Sequence, residues 1–154
     1  MSGKEAPDFT LPSGPDSAFH LADLRGRPVV LAFYPADWSP VCSDQLSLYQ
    51  AILHEFDAYT AALAAVSVDG IWCHRAFAET RGLTFPLVSD FEPKGAVSRM
   101  YDAYRSVDGF SERALFVLNP EGRIEWHEMV PPEENPGADG ILRVLDDMTA
   151  HSVS

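Results

Sequence analysis

Cysteine is scarce in this sequence of 154 residues, which contains only Cys42 and Cys73. Two thiols are too few for a disulfide-rich scaffold, and they exclude a zinc site built from four thiolates. Three interpretations remain open: a pair of buried thiols, one reactive thiol, or a redox pair.

Basic residues are also scarce. The sequence has 11 Lys and Arg but 23 Asp and Glu, which gives a formal net charge of −12. Such a surface repels phosphate backbones and anionic lipid, so we expect no nucleic-acid partner and no membrane partner. The apolar runs, such as residues 29–34, are far shorter than the roughly 18 residues that span a bilayer. The N-terminal segment lacks a basic start followed by an apolar stretch, which predicts a cytoplasmic protein.

The order of periodic segments predicts an α/β fold in one domain covering residues 1–154. Strands are expected at residues 18–21, 28–34, 62–69, 85–88, 113–118 and 123–130, the last two joined by a turn at 119–122. Helices are expected from residue 39 to beyond 56, and at 71–81, 95–104 and 138–148, with Gly82 ending the second of these. The region before residue 18 shows no clear element.

Metal-ligand spacing is absent, since no histidine lies three or four residues from a cysteine or another histidine. Cys73 and His74 are adjacent and are expected on opposite faces of their helix. We therefore predict no metal site and no cofactor.

The segment from Pro35 to Cys42 joins a buried strand to a long amphipathic helix. Ser39 is a good N-cap, and Pro40 suits the first helical position because its missing N–H costs nothing there. Cys42 then lies in the first turn, where free backbone N–H groups and the helix dipole favour a thiolate. The alternative is that Cys42 is only a small buried apolar residue.

Pro35, Ser39 and Cys42 match the Pro-x-x-x-Thr/Ser-x-x-Cys motif of the peroxiredoxins. Further matches follow in order at residues 85–90 (FPLVSD), 96–98 (AVS), 101 (Y), 113–118 (RALFVL) and 119–122 (NPEG). The sequence resembles this family over nearly its whole length, in particular the short bacterial group of alkyl hydroperoxide reductase E and the bacterioferritin-comigratory (PrxQ) proteins.

The resemblance implies a thioredoxin-like fold, with a central mixed β-sheet flanked by helices and an N-terminal extension. It also implies a peroxidase that reduces hydrogen peroxide and organic hydroperoxides. In that scheme Cys42 attacks the peroxide, Ser39 hydrogen-bonds the thiolate and the substrate, Pro35 shields the pocket, and Arg113 supplies positive charge. The partners implied are a hydroperoxide substrate and a thioredoxin- or glutaredoxin-like reductant, with the chain acting as a monomer or homodimer.

The chain departs from the family pattern at two positions near this site. Many relatives carry Glu three residues after the reactive cysteine, where this chain has Gln45, and many carry a hydroxyl residue after the arginine, where it has Ala114. Gln45 can still accept a hydrogen bond from a guanidinium, although the charge-assisted bond is lost. These departures bear on rate and geometry rather than on the reaction.

Cys73 is the candidate for reducing the sulfenic acid that forms on Cys42. Several relatives place a resolving cysteine five residues after the first, but this chain has Ser47 there, whereas some PrxQ-like proteins place it in the helix that contains Cys73. The early helical position of Cys73 predicts that its own thiolate is favoured. A buried packing thiol is the alternative, which would leave a one-cysteine enzyme that needs an external thiol.

Two rival functions differ in their chemistry. A thioredoxin-type disulfide reductase needs Cys-x-x-Cys at the helix start, and Ser39 occupies the place of the first cysteine. A non-catalytic binding or holdase module remains open because a fold does not determine a function.

Overall fold

A computed structural model describes residues 3–153 of the chain, with side chains up to residue 150. Within this range the strands are β1 (Thr10–Gly14), β2 (Ser17–His20), β3 (Val29–Phe33), β4 (Ala62–Ser67), β5 (Leu87–Ser89), β6 (Tyr104–Arg105), β7 (Phe110–Ser111), β8 (Arg113–Leu118) and β9 (Ile124–Val130). The α-helices are α1 (Pro40–Ala51), α2 (Leu53–Asp57), α3 (Ile71–Arg81), α4 (Ala96–Met100) and α5 (Asp139–Val153). No helix among these residues is long and apolar enough to cross a membrane.

The central sheet has the strand order β5-β4-β3-β8-β9. Strands β3, β4 and β5 run parallel, whereas β8 is antiparallel to β3 and β9 is antiparallel to β8. A mixed sheet connected through helices confirms the predicted α/β class. It also places the loop after β3 beside the start of β8, because the two antiparallel strands pair over their whole length.

Both faces of β3 are buried, as its continuous apolar sequence predicts. Val30 and Ala32 contribute to one core with Leu46 and Tyr49 of α1, while Leu31 contributes to a second core on the other face. The first core also holds apolar residues of α2, α3 and α5, and the second includes residues of α4 and of the β1–β2 hairpin. Cys42 belongs to the first core.

Several local predictions are confirmed. Helix α3 ends at Arg81, and Gly82 takes the left-handed conformation (φ +67°) that terminates helices. Strands β8 and β9 form the predicted hairpin around the 119–122 turn. The apolar stripe after residue 39 is real, but it spans two helices, because Ile52 leaves helical geometry between α1 and α2.

Two local predictions are wrong. Helix α4 ends at Met100 rather than at residue 104, because Asp102 adopts a left-handed conformation (φ +55°) and Tyr104 pairs with Ser111 in a small sheet. The N-terminal region predicted to be irregular contains β1, whose Leu11 pairs with Phe19 of β2. Both differences arise from pairing with a partner strand, which local periodicity does not reveal.

Candidate active site

Cys42 lies in the first turn of α1, as the order of Ser39 and Pro40 predicts, and it is completely buried. Ser39 has the extended backbone of an N-cap, and its carbonyl accepts the N–H of Ser43 at 2.8 Å. Its side chain makes no capping hydrogen bond, so the hydroxyl is not committed to the helix. Pro35 is buried in the same loop.

Arg113, the first residue of β8, contacts the sulfur of Cys42. Its Nη2 donates a hydrogen bond to Cys42 Sγ at 3.1 Å, and its Nη1 donates to Gln45 Oε1 at 2.6 Å. Its Nε and Nη2 both donate to the Pro132 carbonyl, at 3.0 and 2.6 Å. The side chain is therefore held on three sides, which gives the guanidinium a defined orientation towards the sulfur.

The charge of Arg113 has no carboxylate partner among the described residues. The guanidinium is 1% exposed, and Gln45 and the Pro132 carbonyl are neutral acceptors. The hydrogen bond to Sγ therefore places a buried positive charge directly against the sulfur of Cys42. A fixed cation in this position stabilises negative charge that develops on the sulfur during a reaction.

Gln45 is fixed by a short relay of hydrogen bonds. Its Nε2 donates to the Tyr49 hydroxyl at 3.0 Å, and that hydroxyl donates to the Gly137 carbonyl at 2.9 Å. Burial raises the pKa of Tyr49, which keeps the hydroxyl a neutral donor. The relay uses both ends of an amide, one as acceptor and one as donor, and a glutamate has no equivalent donor.

Ala114 points away from this site. Successive residues of a strand face opposite sides of the sheet, and Ala114 packs in the second core, whereas Cys42 packs in the first. Many relatives carry a hydroxyl residue at this position. Its absence here therefore affects the face of the sheet opposite Cys42.

Cys73 lies in the first turn of α3 and is partly exposed, and both it and Cys42 are free thiols. The prediction that its thiolate is favoured is wrong. Burial raises the pKa of Cys73 to about 11, together with a hydrogen bond to the Asp37 side chain and the charges of Asp37 and Asp69. The thiol is therefore protonated at neutral pH.

Asp37 organises a buried polar network that the sequence reasoning missed. Its Oδ1 accepts the Tyr34 hydroxyl at 2.6 Å, and its Oδ2 lies 2.7 Å from His74 Nδ1. His74 Nε2 lies 3.2 Å from the Val88 carbonyl, and the backbone N–H of Asp37 donates to Asp69 at 2.8 Å. One sequence feature could have indicated this network. It is the presence of an acidic residue in the otherwise apolar loop before Cys42.

The prediction that Cys73 and His74 lie on opposite helix faces is wrong, since both side chains reach Asp37. Neighbouring helical residues are separated by about 100° rather than 180°, and Asp37 lies in the angle between them. Ligand atoms of Asp37, Asp69 and Cys73 come within 4.8 Å of one another. The carboxylate oxygens already accept hydrogen bonds from Tyr34 and Ser67, so this cluster is better described as a hydrogen-bond network than as a metal site.

Comparisons with known proteins agree with this geometry. The AhpC/TSA family matches residues 2–127. Alkyl hydroperoxide reductase E of Mycobacterium tuberculosis is 37% identical over 133 residues, covering 86% of this chain and 87% of its own. Two solved structures superpose closely: the reduced 2-Cys peroxiredoxin of Plasmodium vivax (TM-score 0.90, 26% identity, 99% of this chain and 83% of its own) and peroxidoxin BcpB of M. tuberculosis (TM-score 0.84, 27% identity, 96% and 97%). The predicted thioredoxin-like fold is confirmed.

Proposed function

The chain belongs to the AhpC/TSA family of peroxiredoxin-type peroxidases, and from that premise we propose a two-cysteine cycle in which Cys42 reduces the hydroperoxide and Cys73 resolves the product. The proposal treats residues 1–154 as one peroxidase domain. The observation that carries it is the hydrogen bond from Arg113 to the sulfur of Cys42 at 3.1 Å.

In the first step the Cys42 thiolate attacks the terminal oxygen of the hydroperoxide. A sulfur–oxygen bond forms, the oxygen–oxygen bond breaks, and the leaving oxygen takes up a proton as water or an alcohol. Negative charge moves from sulfur to the leaving oxygen, so a fixed cation beside the sulfur stabilises both ends of the transfer. Arg113 is that cation, while Ser39 offers an uncommitted hydroxyl and Pro35 keeps water from the sulfur.

In the second step the Cys73 thiol attacks the sulfenic acid on Cys42 and forms an intramolecular disulfide. A thioredoxin- or glutaredoxin-like dithiol protein then reduces that disulfide. The partial exposure of Cys73 near the start of α3 supports this role, because a resolving thiol must be free to move towards its partner. The alternative is a one-cysteine cycle in which an external thiol reduces Cys42 directly.

Peroxide consumption with dithiothreitol tests the peroxidase step. We expect wild type to consume hydrogen peroxide and Cys42→Ser to lose nearly all of this activity, with Cys73→Ser as the matched control that keeps it. A wild-type rate no faster than that of Cys42→Ser would refute the peroxidase function.

Mass measurement under non-reducing conditions, after one equivalent of peroxide, tests the resolving step. We expect wild type to lose two hydrogens as the disulfide forms, and Cys73→Ser to carry a sulfenic or overoxidised Cys42 instead. Persistent sulfenic acid in wild type would establish the one-cysteine cycle.

A further inference from the structure

Cys73 is surrounded by acidic groups drawn from two different loops. Asp37 comes from the loop between β3 and α1, and Asp69 from the loop before α3, and their carboxylate oxygens lie within 4.8 Å of the Cys73 sulfur. Both carboxylates raise the pKa of the Cys73 thiol through their negative charge. His74 reaches the cluster through Asp37, at 2.7 Å.

We propose that Asp37 is the proton acceptor for Cys73 in the resolving step. This inference rests on the two-cysteine cycle proposed above. As the Cys73 sulfur attacks the sulfenic sulfur of Cys42, a sulfur–sulfur bond forms and the sulfur–oxygen bond of the sulfenic acid breaks. The thiol proton passes to the Asp37 carboxylate, the departing hydroxide takes up a proton from solvent and leaves as water, and Asp37 then releases the thiol proton to solvent. The Cys73 sulfur is oxidised and the Cys42 sulfur is reduced.

The network orients Asp37 for this role. Tyr34 donates to one carboxylate oxygen at 2.6 Å, and His74 holds the other at 2.7 Å, so the carboxylate has little freedom to rotate. His74 is itself held by the Val88 carbonyl. A proton acceptor contributes most when it lies within hydrogen-bond reach of its donor and its orientation is already established.

Asp69 differs from Asp37 in what it offers to Cys73. Its Oδ2 already accepts the Ser67 hydroxyl at 2.6 Å and the backbone N–H of Asp37 at 2.8 Å. Both carboxylates act on Cys73 through their charge, and Asp37 is the one whose two oxygens are both held in place, by Tyr34 and His74. Asp69 is therefore the matched position for separating a charge effect from proton transfer.

This arrangement gives the two cysteines different chemical roles. A thiolate, rather than a thiol, reacts with peroxide, so a protonated Cys73 is spared while Cys42 is oxidised. Once deprotonated during the attack, a thiol of high pKa is also the stronger nucleophile. The carboxylate beside Cys73 thus keeps the Cys73 thiol unreactive until the sulfenic acid of Cys42 reaches that thiol.

Asp37→Asn is a conservative test because an amide can satisfy the same neighbours. The amide oxygen can accept the Tyr34 hydroxyl, and the amide N–H group faces His74 Nδ1 in place of the carboxylate oxygen. The variant keeps the hydrogen bonds and loses the proton acceptor. Asp69→Asn removes a charge at a similar place and leaves Asp37 intact.

The experiment follows disulfide formation by stopped flow after one equivalent of hydrogen peroxide, from pH 6 to pH 9, in wild type, Asp37→Asn and Asp69→Asn. We expect a nearly flat pH profile for wild type and for Asp69→Asn. In Asp37→Asn we expect a rate roughly 100-fold lower at pH 6, rising towards tenfold per pH unit because only the pre-formed thiolate then reacts.

Titration of the thiolate absorbance in a Cys42→Ser background provides a measurement that needs no peroxide chemistry. We expect the pKa of Cys73 to fall from about 11 when either aspartate is replaced, because each contributes negative charge. An unchanged titration in Cys42→Ser/Asp37→Asn would overturn the contact on which the inference rests.

Three kinetic outcomes would count against the inference. An Asp37→Asn profile parallel to wild type would overturn proton transfer to Asp37, and identical steep profiles in both variants would assign the effect to charge alone. Absence of any disulfide in wild type would instead remove the two-cysteine cycle and, with it, this role of Asp37. That last result is distinct from the others, because in them the disulfide still forms.

Discussion

Arg113 donates a hydrogen bond from Nη2 to the Sγ of Cys42 at 3.1 Å, linking the start of β8 to the first turn of α1. The remaining donors of the guanidinium face the Pro132 carbonyl and Gln45, both neutral. Cys42 is thus the group through which this buried charge acts, and substitutions around Arg113 test the peroxidase step directly.

Arg113→Lys is expected to slow the reaction of Cys42 with hydrogen peroxide by roughly 100-fold. Lysine keeps the charge but lacks the planar fork that bonds three partners at once. Stopped-flow tryptophan fluorescence measures this rate. Arg75→Lys is the control, because Arg75 forms an exposed pair with Glu79 on α3. A rate for Arg113→Lys within twofold of wild type would contradict the role of the guanidinium geometry.

Tyr49→Phe is expected to lower the free energy of unfolding by about 1–2 kcal/mol. The substitution leaves Gln45 Nε2 and the Gly137 carbonyl without a partner, and it loosens the amide that holds Arg113. Urea unfolding measures the change. In Tyr59→Phe the lost hydroxyl bonds Asp146 near the surface at 3.3 Å, so we expect a change below about 0.5 kcal/mol. Equal losses in the two variants would argue against the buried relay.

The stability of the reduced protein is expected to depend on Cys73 at alkaline pH. Its folded-state pKa, about 11, lies above the ordinary thiol value of 9.0, so folding favours the protonated thiol. This contribution is complete below about pH 9 and is lost as the pH rises through about 11. Allowing for the partial exposure of Cys73, we expect a loss of about 1–2 kcal/mol.

Urea unfolding of wild type and Cys73→Ser, between pH 8 and about pH 11, isolates this contribution. Serine keeps a hydrogen-bond donor for Asp37 but does not titrate in this range. Buried tyrosines also titrate at high pH, but they are common to both proteins and cancel in the difference. Parallel pH dependences would show that Cys73 is not held protonated by folding.

Oxidation is expected to unwind the first turns of α1. In the reduced protein Cys42 is buried against Arg113, while the Cys73 sulfur lies within 4.8 Å of an Asp37 carboxylate oxygen. A disulfide needs Cα atoms within about 7 Å and removes both sulfurs from these contacts. Hydrogen exchange across residues 39–50 should therefore be faster in the oxidised protein, with residues 113–118 as an internal control. Equal exchange in the two states would contradict local unwinding.

Local features of the site were predictable because neighbouring residues determine them. Ser39 and Pro40 start α1, and their positions place Cys42 in its first turn whatever the rest of the chain does. The buried strand before them and the left-handed Gly82 follow from equally local patterns. The role of Arg113 came from resemblance to a family, since nothing in its own segment points to a distant cysteine.

Contacts between distant segments were not predictable in this way. Gln45 was expected only to accept a hydrogen bond from a guanidinium, and its relay through Tyr49 to Gly137 depends on how α1 packs against the segment before α5. Asp37 meets His74 because the loop after β3 and the start of α3 lie at the same edge of two parallel strands. The shortened α4 likewise depends on strand pairing of Tyr104.

The two cysteines show most clearly what the sequence determined and what the tertiary structure determined. The sequence by itself placed both of them near helix starts, where the helix dipole stabilises a thiolate by about 0.3–1 kcal/mol. Only the tertiary structure made them differ, because it brought a buried cation to Cys42 and two carboxylates to Cys73. The rise in the pKa of Cys73 from 9.0 to about 11, discounted for its partial exposure, corresponds to about 1–2 kcal/mol and exceeds the local effect. Burial and charge from distant residues therefore outweigh helix position at Cys73, and they keep its sulfur a thiol.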